Sequence, residues 1–417
     1  MMMGPVRRAL APLLEHEQLL MISISTVLVM AGQGVIAPVL PLFAEEFGVG
    51  AAAIGLTLSF FALARLILNV PLGVLSDRYG RRILLIAGPL VTGVGMVGSG
   101  MSGSIEVLLA WRFVAGAGSA MYMTGAQIYL TDISTPENRA RFIGTNQGAL
   151  LFGTSMGPAV GGLLAEVWGI RVPFYVVGAA ALVATVYAYL RLPETRHLAQ
   201  VAPPPRAHVD GEKQRRPWVQ FLLSRDFFAV SWVTLMVFFT RTASRQTIMP
   251  LMAVASFGMG AGSLGVLFTV MSVVNLVLIP PAAMIADRFG RKAAIVPSGL
   301  TVAVGLAIMA VSPNLAVFVV GAMVLALGTS IAGPAPAAYA ADIAPPHLRG
   351  LAMGLYRSSG DIGFLIGPII LGLVADASDY SWALWLNVVL IAAASLFFLT
   401  ARETVQRAGA RPVPVRG

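Results

Sequence analysis

Gly73-Val74-Leu75-Ser76-Asp77-Arg78-Tyr79-Gly80-Arg81-Arg82 closes one apolar run of this chain and opens the next. Ala283-Met284-Ile285-Ala286-Asp287-Arg288-Phe289-Gly290-Arg291-Lys292 does the same 210 residues later (287 − 77 = 210). A charged, glycine-punctuated turn that recurs between apolar runs of membrane length points to a membrane chain assembled from two parallel copies of one unit.

Composition fits that reading. The 417 residues are 57% hydrophobic and 11% charged, against roughly 45–50% and about 25% in soluble domains. So few charges cannot cover the surface of a water-soluble protein of this size. There is no cysteine, which removes disulfides, thiol chemistry and thiolate metal sites. The formal charge of +9 lacks a basic cluster with interleaved aromatics, so it does not indicate nucleic acid. Lysine stands only at Lys213 and Lys292; the arginine bias, with heavy Ala and Gly use, fits a GC-rich bacterial genome.

A bilayer core of ~30 Å takes ~20 residues of helix. Apolar runs of that length lie near 19–42, 53–75, 83–102, 106–129, 141–165 and 172–191, and again near 228–252, 263–285, 293–311, 315–340, 351–374 and 381–401. Twelve spans are expected, in two bundles of six: residues 1–191, a cytoplasmic linker 192–227 carrying Pro203-Pro204-Pro205, and residues 228–417. With the N-terminus inside, Arg171 is the only basic residue left in an external connection. The positive-inside rule therefore puts both termini in the cytoplasm.

The 210-residue offset extends beyond the turns. Asp132, Pro136 and Arg139 recur as Asp342, Pro346 and Arg349; Gly153, Gly157 and Pro158 recur as Gly363, Gly367 and Pro368. Here the chain resembles the major facilitator superfamily, over nearly its whole length. Gly73–Arg82 matches the loop between that family's second and third spans, and Arg112-x-x-x-Gly116-x-Gly118-x-Ala120 resembles its fourth-span motif. Gly153-x-x-x-Gly157-Pro158-x-x-Gly161-Gly162 is similar to the fifth-span motif of proton-coupled antiporters. Gly32 with Pro38-Val39-Leu40-Pro41 is similar to the first-span motif of twelve-span drug exporters.

The resemblance implies an all-α integral membrane fold, with twelve helices in two six-helix bundles related by a pseudo-two-fold axis. It also implies a cytoplasmic gate: Arg81 would meet Asp132, and Arg291 would meet Asp342, beside Asp77 and Asp287. The alternative is that these charges only fix topology, although recurrence of the acids argues otherwise because orientation hardly depends on them. In the fifth span, Gly153, Gly157, Gly161 and Gly162 allow close helix approach and Pro158 introduces a kink. That motif serves either coupling or packing alone.

Inside the spans stand Arg65, Arg112, Arg241, Arg245, Arg357 and a single acid, Asp361. Such groups face a bundle interior or a wet cavity. Spans 1, 4, 7 and 10 line the cavity in the resembling family, which makes Gln33, Arg112, Arg241 and Arg245 the expected cavity residues. Asp361, with Arg357 and Arg112, forms the expected proton-coupling set; Asp361 and Arg357 also read as a static ion pair. The leading expectation is a proton-coupled exporter of small lipophilic molecules in a bacterial inner membrane, of the drug/proton antiporter type. It would act as a monomer among membrane lipids, with no cofactor and no metal, the proton gradient being the energy source. The alternative is transport of organic anions or lipids in an arginine-rich cavity. No nucleophile, metal or phosphate-loop motif accompanies these residues, so an enzyme is not expected.

Overall fold

The computed structural model describes residues 17–135, 138–198, 221, 223–332, 335–345 and 349–404. Most of the 192–227 linker, both chain ends, and Pro136 and Pro346 of the repeat lie outside the described residues.

Everything long among the described residues is helix. The first series is α1 (Glu17–Ile36), short α2 (Leu40–Glu45), α3 (Ala51–Tyr79), α4 (Arg81–Gly100), α5 (Ile105–Asp132), α6 (Arg139–Trp168) and α7 (Val172–Arg191). The second begins with α8 (Arg225–Phe239), a π-helix (Thr240–Ile248) and α9 (Met249–Phe257), which together form one long element. It continues with α10 (Ala261–Phe289), α11 (Arg291–Ala310), α12 (Leu315–Ala332), α13 (Ala335–Ile343), α14 (Arg349–Ala377) and α15 (Tyr380–Phe398). Eleven helical stretches among the described residues are long and apolar enough to cross a bilayer. The expected span at 106–129 is α5, whose 28 residues are long enough but carry Glu106, Arg112 and Asp132 among many small and hydroxyl side chains.

Sequence explains the ends and the kinks. Asp379 accepts the Trp382 N–H (2.9 Å) and so caps α15, while Ser224 caps α8 through the Phe227 N–H (3.3 Å). Prolines sit inside α3, α4, α6, α10, α11 and α14. Bilayer helices tolerate them where neighbouring helices take up the freed backbone groups.

Packing by close approach holds each series together. A Cβ at Gly95 of α4 would lie 2.5 Å from the Ala115 backbone N of α5, and one at Gly118 would lie 2.3 Å from the Thr92 N. The same pair of contacts recurs 210 residues on: Gly305 against Leu325 N at 2.5 Å, and Gly328 against Val302 N at 2.6 Å. Lipid is as apolar as the helices, so this close fit, rather than hydrophobic drive, binds helix to helix. Large apolar side chains such as Val74, Leu163, Leu190 and Met284 are meanwhile exposed, as a lipid-facing surface requires.

Two compact units result: Met1–Gly211 with Ala253–Val270, and Glu212–Met252 with Met271–Gly417. The first has a core in which Ile22, Tyr122, Tyr129 and Leu130 are fully buried. The start of α10 belongs to this first unit because it packs on α6, where Gly162 and Gly265 would collide through any added Cβ.

Candidate functional site

The charged turns set the α3–α4 and α10–α11 corners. Gly80 ends α3 and precedes α4 with φ +100° and ψ 163°, and Gly290 repeats this at φ +105° and ψ 157°. That region of backbone space is essentially reserved for glycine. It lets Arg81 begin a helix with its side chain turned back across the corner. Arg81 Nε donates to Asp132 Oδ2 at 2.7 Å, Nη1 to the Ser76 carbonyl at 3.2 Å, and Nη2 lies 3.3 Å from Asp77. In the second unit Arg291 Nε reaches Asp342 Oδ2 at 3.3 Å, and its Nη1 pairs with Asp287. Asp77 and Asp287 stay mostly exposed.

Each turn has a further partner absent from the sequence reading. The Glu194 carboxylate, just beyond α7, accepts the N–H groups of Arg81 (3.0 Å), Arg82 (3.1 Å), Thr195 (3.0 Å) and Arg196 (2.9 Å). It thus caps the free first turn of α4, where a negative charge is stabilised. Burial alone would raise its pKa; the N–H donors of Arg81, Arg196, Arg82 and Thr195 outweigh that and leave it lowered. Thr195 Oγ1 donates to the same Asp132 oxygen that Arg81 holds (3.1 Å). Glu403 and Thr404 repeat the arrangement: Glu403 accepts from Arg291 N (2.9 Å) and Lys292 N (3.0 Å), and Thr404 Oγ1 donates to Asp342 (3.0 Å). The signal was the Glu-Thr pair itself. It recurs at an offset of 209 (403 − 194 = 209), one short of the main repeat, with its first copy at the start of the segment read as linker.

In α6 the glycine stripe is pressed into α1. A Cβ at Gly157 would lie 2.5 Å from Val35 N, and one at Gly161 would lie 1.9 Å from Val35 O. Gly153 similarly meets Val27 O and Ala31 N. Pro158 has no N–H and opens the ladder of α6; the neighbouring Ala159 N–H is taken by Thr269 Oγ1 of α10 at 2.8 Å.

The ionisable residues of the spans separate into different roles. Arg112 is 4% exposed. Its Nε donates to the Thr57 carbonyl (3.3 Å), Nη1 lies 3.9 Å from Met96 Sδ, and the guanidinium sits 4.8 Å over the Phe61 ring. A cation enclosed by a carbonyl, a thioether and an aromatic face ties α5 to α3 and α4. Gln33 donates to Ser119 Oγ of α5 at 3.1 Å. Arg241 and Arg245 both lie on the π-helix, the first exposed and the second partly buried, with Arg245 donating to Ser272 Oγ (3.2 Å). Asp361 is partly buried on α14, one turn after the exposed Arg357.

Two similar helical units with repeated charged corners and a polar break at mid-span make up a multi-pass helical membrane protein; its family and relatives make its class a transporter rather than an enzyme. The family model of the Major Facilitator Superfamily matches residues 22–244 and 234–416, so the chain belongs to that superfamily. Among curated relatives, the "Uncharacterized MFS-type transporter MJ1560" of Methanocaldococcus jannaschii is 26% identical over 365 residues, covering 87% of this chain and 92% of the relative. Multidrug resistance protein 1 of Bacillus subtilis is 26% identical over 366 residues (87% and 90%). Quinolone resistance protein NorA of Staphylococcus aureus is 22% identical over 371 residues (87% and 90%). Among solved structures, a bacterial homologue of the human lysosomal transporter Spinster, inward-facing and occupied, superposes with a TM-score of 0.76 at 18% identity, over 91% of this chain and 95% of that one. The human organic anion transporter MFSD10 gives 0.66 at 16% identity, over 95% and 100%.

Proposed function

We propose that this protein exports small lipophilic molecules from a bacterial cytoplasm, in exchange for protons, by alternating access. The observation that carries the reading is the α6 stripe: Gly153, Gly157, Pro158, Gly161 and Gly162 form a tight contact surface with α1 and the start of α10. Their pattern resembles the fifth-span motif of the family's proton-coupled antiporters. The names of the Bacillus and Staphylococcus relatives, resistance proteins for multiple drugs and for quinolones, support export as the direction and drug-like molecules as the cargo.

In this reading Asp361, the single acid that the sequence places deep in a span, carries the proton. The paired corners at Arg81–Asp132 and Arg291–Asp342 hold the cytoplasmic ends of the two units. Both termini are cytoplasmic, the protein works as a monomer in the inner membrane, and the proton gradient supplies the energy.

In inverted vesicles energised to a stable pH gradient, adding a transported drug is expected to collapse part of the gradient. Asp361→Asn is expected to abolish that collapse while the protein remains in the membrane. Normal drug-dependent proton movement in Asp361→Asn removes Asp361 as the carrier; no proton movement in the wild type removes the coupling.

A further inference from the structure

The span Arg225–Phe257 is built unlike the first span of the other unit. It is α-helix to Phe239, π-helix over the nine residues Thr240–Ile248, and α-helix again from Met249. Single-turn π-bulges are the usual form, and they gather at functional sites. The segment reads Thr-Arg-Thr-Ala-Ser-Arg-Gln-Thr-Ile, a polar stretch inside an apolar span. Arg241 stands at the midpoint of the 33-residue span (241 − 225 = 16; 257 − 241 = 16).

Buried polar groups hold this geometry. Asn387 of α15, fully buried, donates to Thr240 Oγ1 (3.0 Å) and Ser244 Oγ (2.7 Å), the residues immediately before each arginine. Thr247 Oγ1 donates to the Thr242 carbonyl five residues back (3.0 Å). The widened turn is therefore fastened from outside and from within.

The glycine contacts identify its counterpart. Gly153 meets Val27 O and Ala31 N; Gly363, its repeat, meets Leu235 O and Phe239 N. These spans thus correspond at an offset of 208 (235 − 27 = 208; 239 − 31 = 208), not 210, and Arg241 answers to Gln33. Gln33 is neutral and bonds to Ser119 within its own bundle. Its counterpart is an exposed cation at mid-span, with a second cation one turn on. An exposed guanidinium at that depth faces a wet interior rather than lipid. Guanidinium forks match planar oxyanions in a bidentate manner, which neither Gln nor Lys reproduces.

We propose that Arg241 and Arg245 bind the carboxylate of the transported molecule, so that the cargo is an amphipathic carboxylic acid, with Asn387 as a positioning residue for the π-helix. The proposal rests on the export reading for direction but not for binding. Its test uses the full chain, purified and in proteoliposomes, with norfloxacin, its methyl ester, and ethidium as a cation without a carboxylate. The wild type is expected to be thermally stabilised by the acid at concentrations at least tenfold lower than by the ester. Arg241→Gln and Arg245→Gln are expected to raise the KM for the acid tenfold or more without moving that for ester or ethidium. Asn387→Leu is expected to raise the KM for the acid selectively, with kcat retained. Equal stabilisation of the wild type by acid and ester overturns the proposal, and needs no variant to fold. Equal losses of acid and ester transport in the Gln variants also overturn it. Selective binding of the acid without proton-driven export upholds this site while refuting the export reading.

Discussion

The two charged corners share an Asp-Arg-x-Gly-Arg core, at Asp77–Arg81 and Asp287–Arg291, yet they sit in different surroundings. Arg81 and Asp132 each expose 7% of their side chains and lie 2.7 Å apart; Arg291 and Asp342 expose 16% and 37% and lie 3.3 Å apart. Thr195, which shares Asp132 with Arg81, is fully buried, whereas the Thr404 bond to Asp342 is exposed. Duplicated sequence therefore does not bring duplicated energetics. A buried ion pair cannot lose one member without stranding the other in a medium that solvates it poorly, whereas an exposed pair is screened by water and salt. The first corner is the more enclosed of the two, and the second the more open to solvent.

The largest expected effect tests that contrast directly. Arg81→Ala should destabilise the purified protein by about 3–5 kcal/mol, as removal of one partner of a buried pair does. Arg291→Ala should cost about 0–1 kcal/mol, in the range of exposed pairs. Chemical denaturation in detergent measures both, and equal losses would erase the distinction between the corners.

A smaller effect probes what the corners share. Gly80→Ala and Gly290→Ala each force a side chain into a region that glycine alone occupies readily, at a cost of order 1–3 kcal/mol. The added Cβ would also come within 2.3 Å of the Glu194 carboxylate in one case and 2.6 Å of the Glu403 carboxylate in the other. Similar losses at the two glycines, beside unequal losses at the two arginines, would separate backbone symmetry from electrostatic asymmetry.

The smallest effect is a pH dependence. The pKa of Glu194 is lowered in the fold from its usual 4.5. Its contribution is thus fully present above that value and is lost as pH falls through the lower folded value. Wild-type melting temperature should fall more steeply than that of Glu194→Gln on acidification below pH 4.5. Parallel curves would mean that the carboxylate cap contributes nothing to the corner.

Much of this architecture was readable in one dimension. Apolar run length located the helices, because a bilayer demands about 20 residues of helix and leaves no other way to pair the backbone. The 210-residue offset showed that Asp132 and Asp342 recur with the corners, since fused copies keep their spacing, and the family resemblance implied their pairing with Arg81 and Arg291. The caps at Glu194 and Glu403 were hidden by a single-residue change of offset, and the partners of Arg112 were not legible because a helix position does not say which neighbour its side chain meets.

The sequence by itself determined the number and order of the apolar runs, the duplicated corners and the glycine stripe of α6, all of which follow from local spacing and transfer into lipid. Only the tertiary structure decided that Arg81 is enclosed while Arg291 is more open, that Arg112 packs against Thr57 and Phe61, and that Arg241 corresponds to Gln33 through an offset of 208. The reason is geometric. Each of these depends on the rotation and sliding of one helix against another, and a π-helix or a one-residue slip changes both without altering hydrophobic pattern or charge.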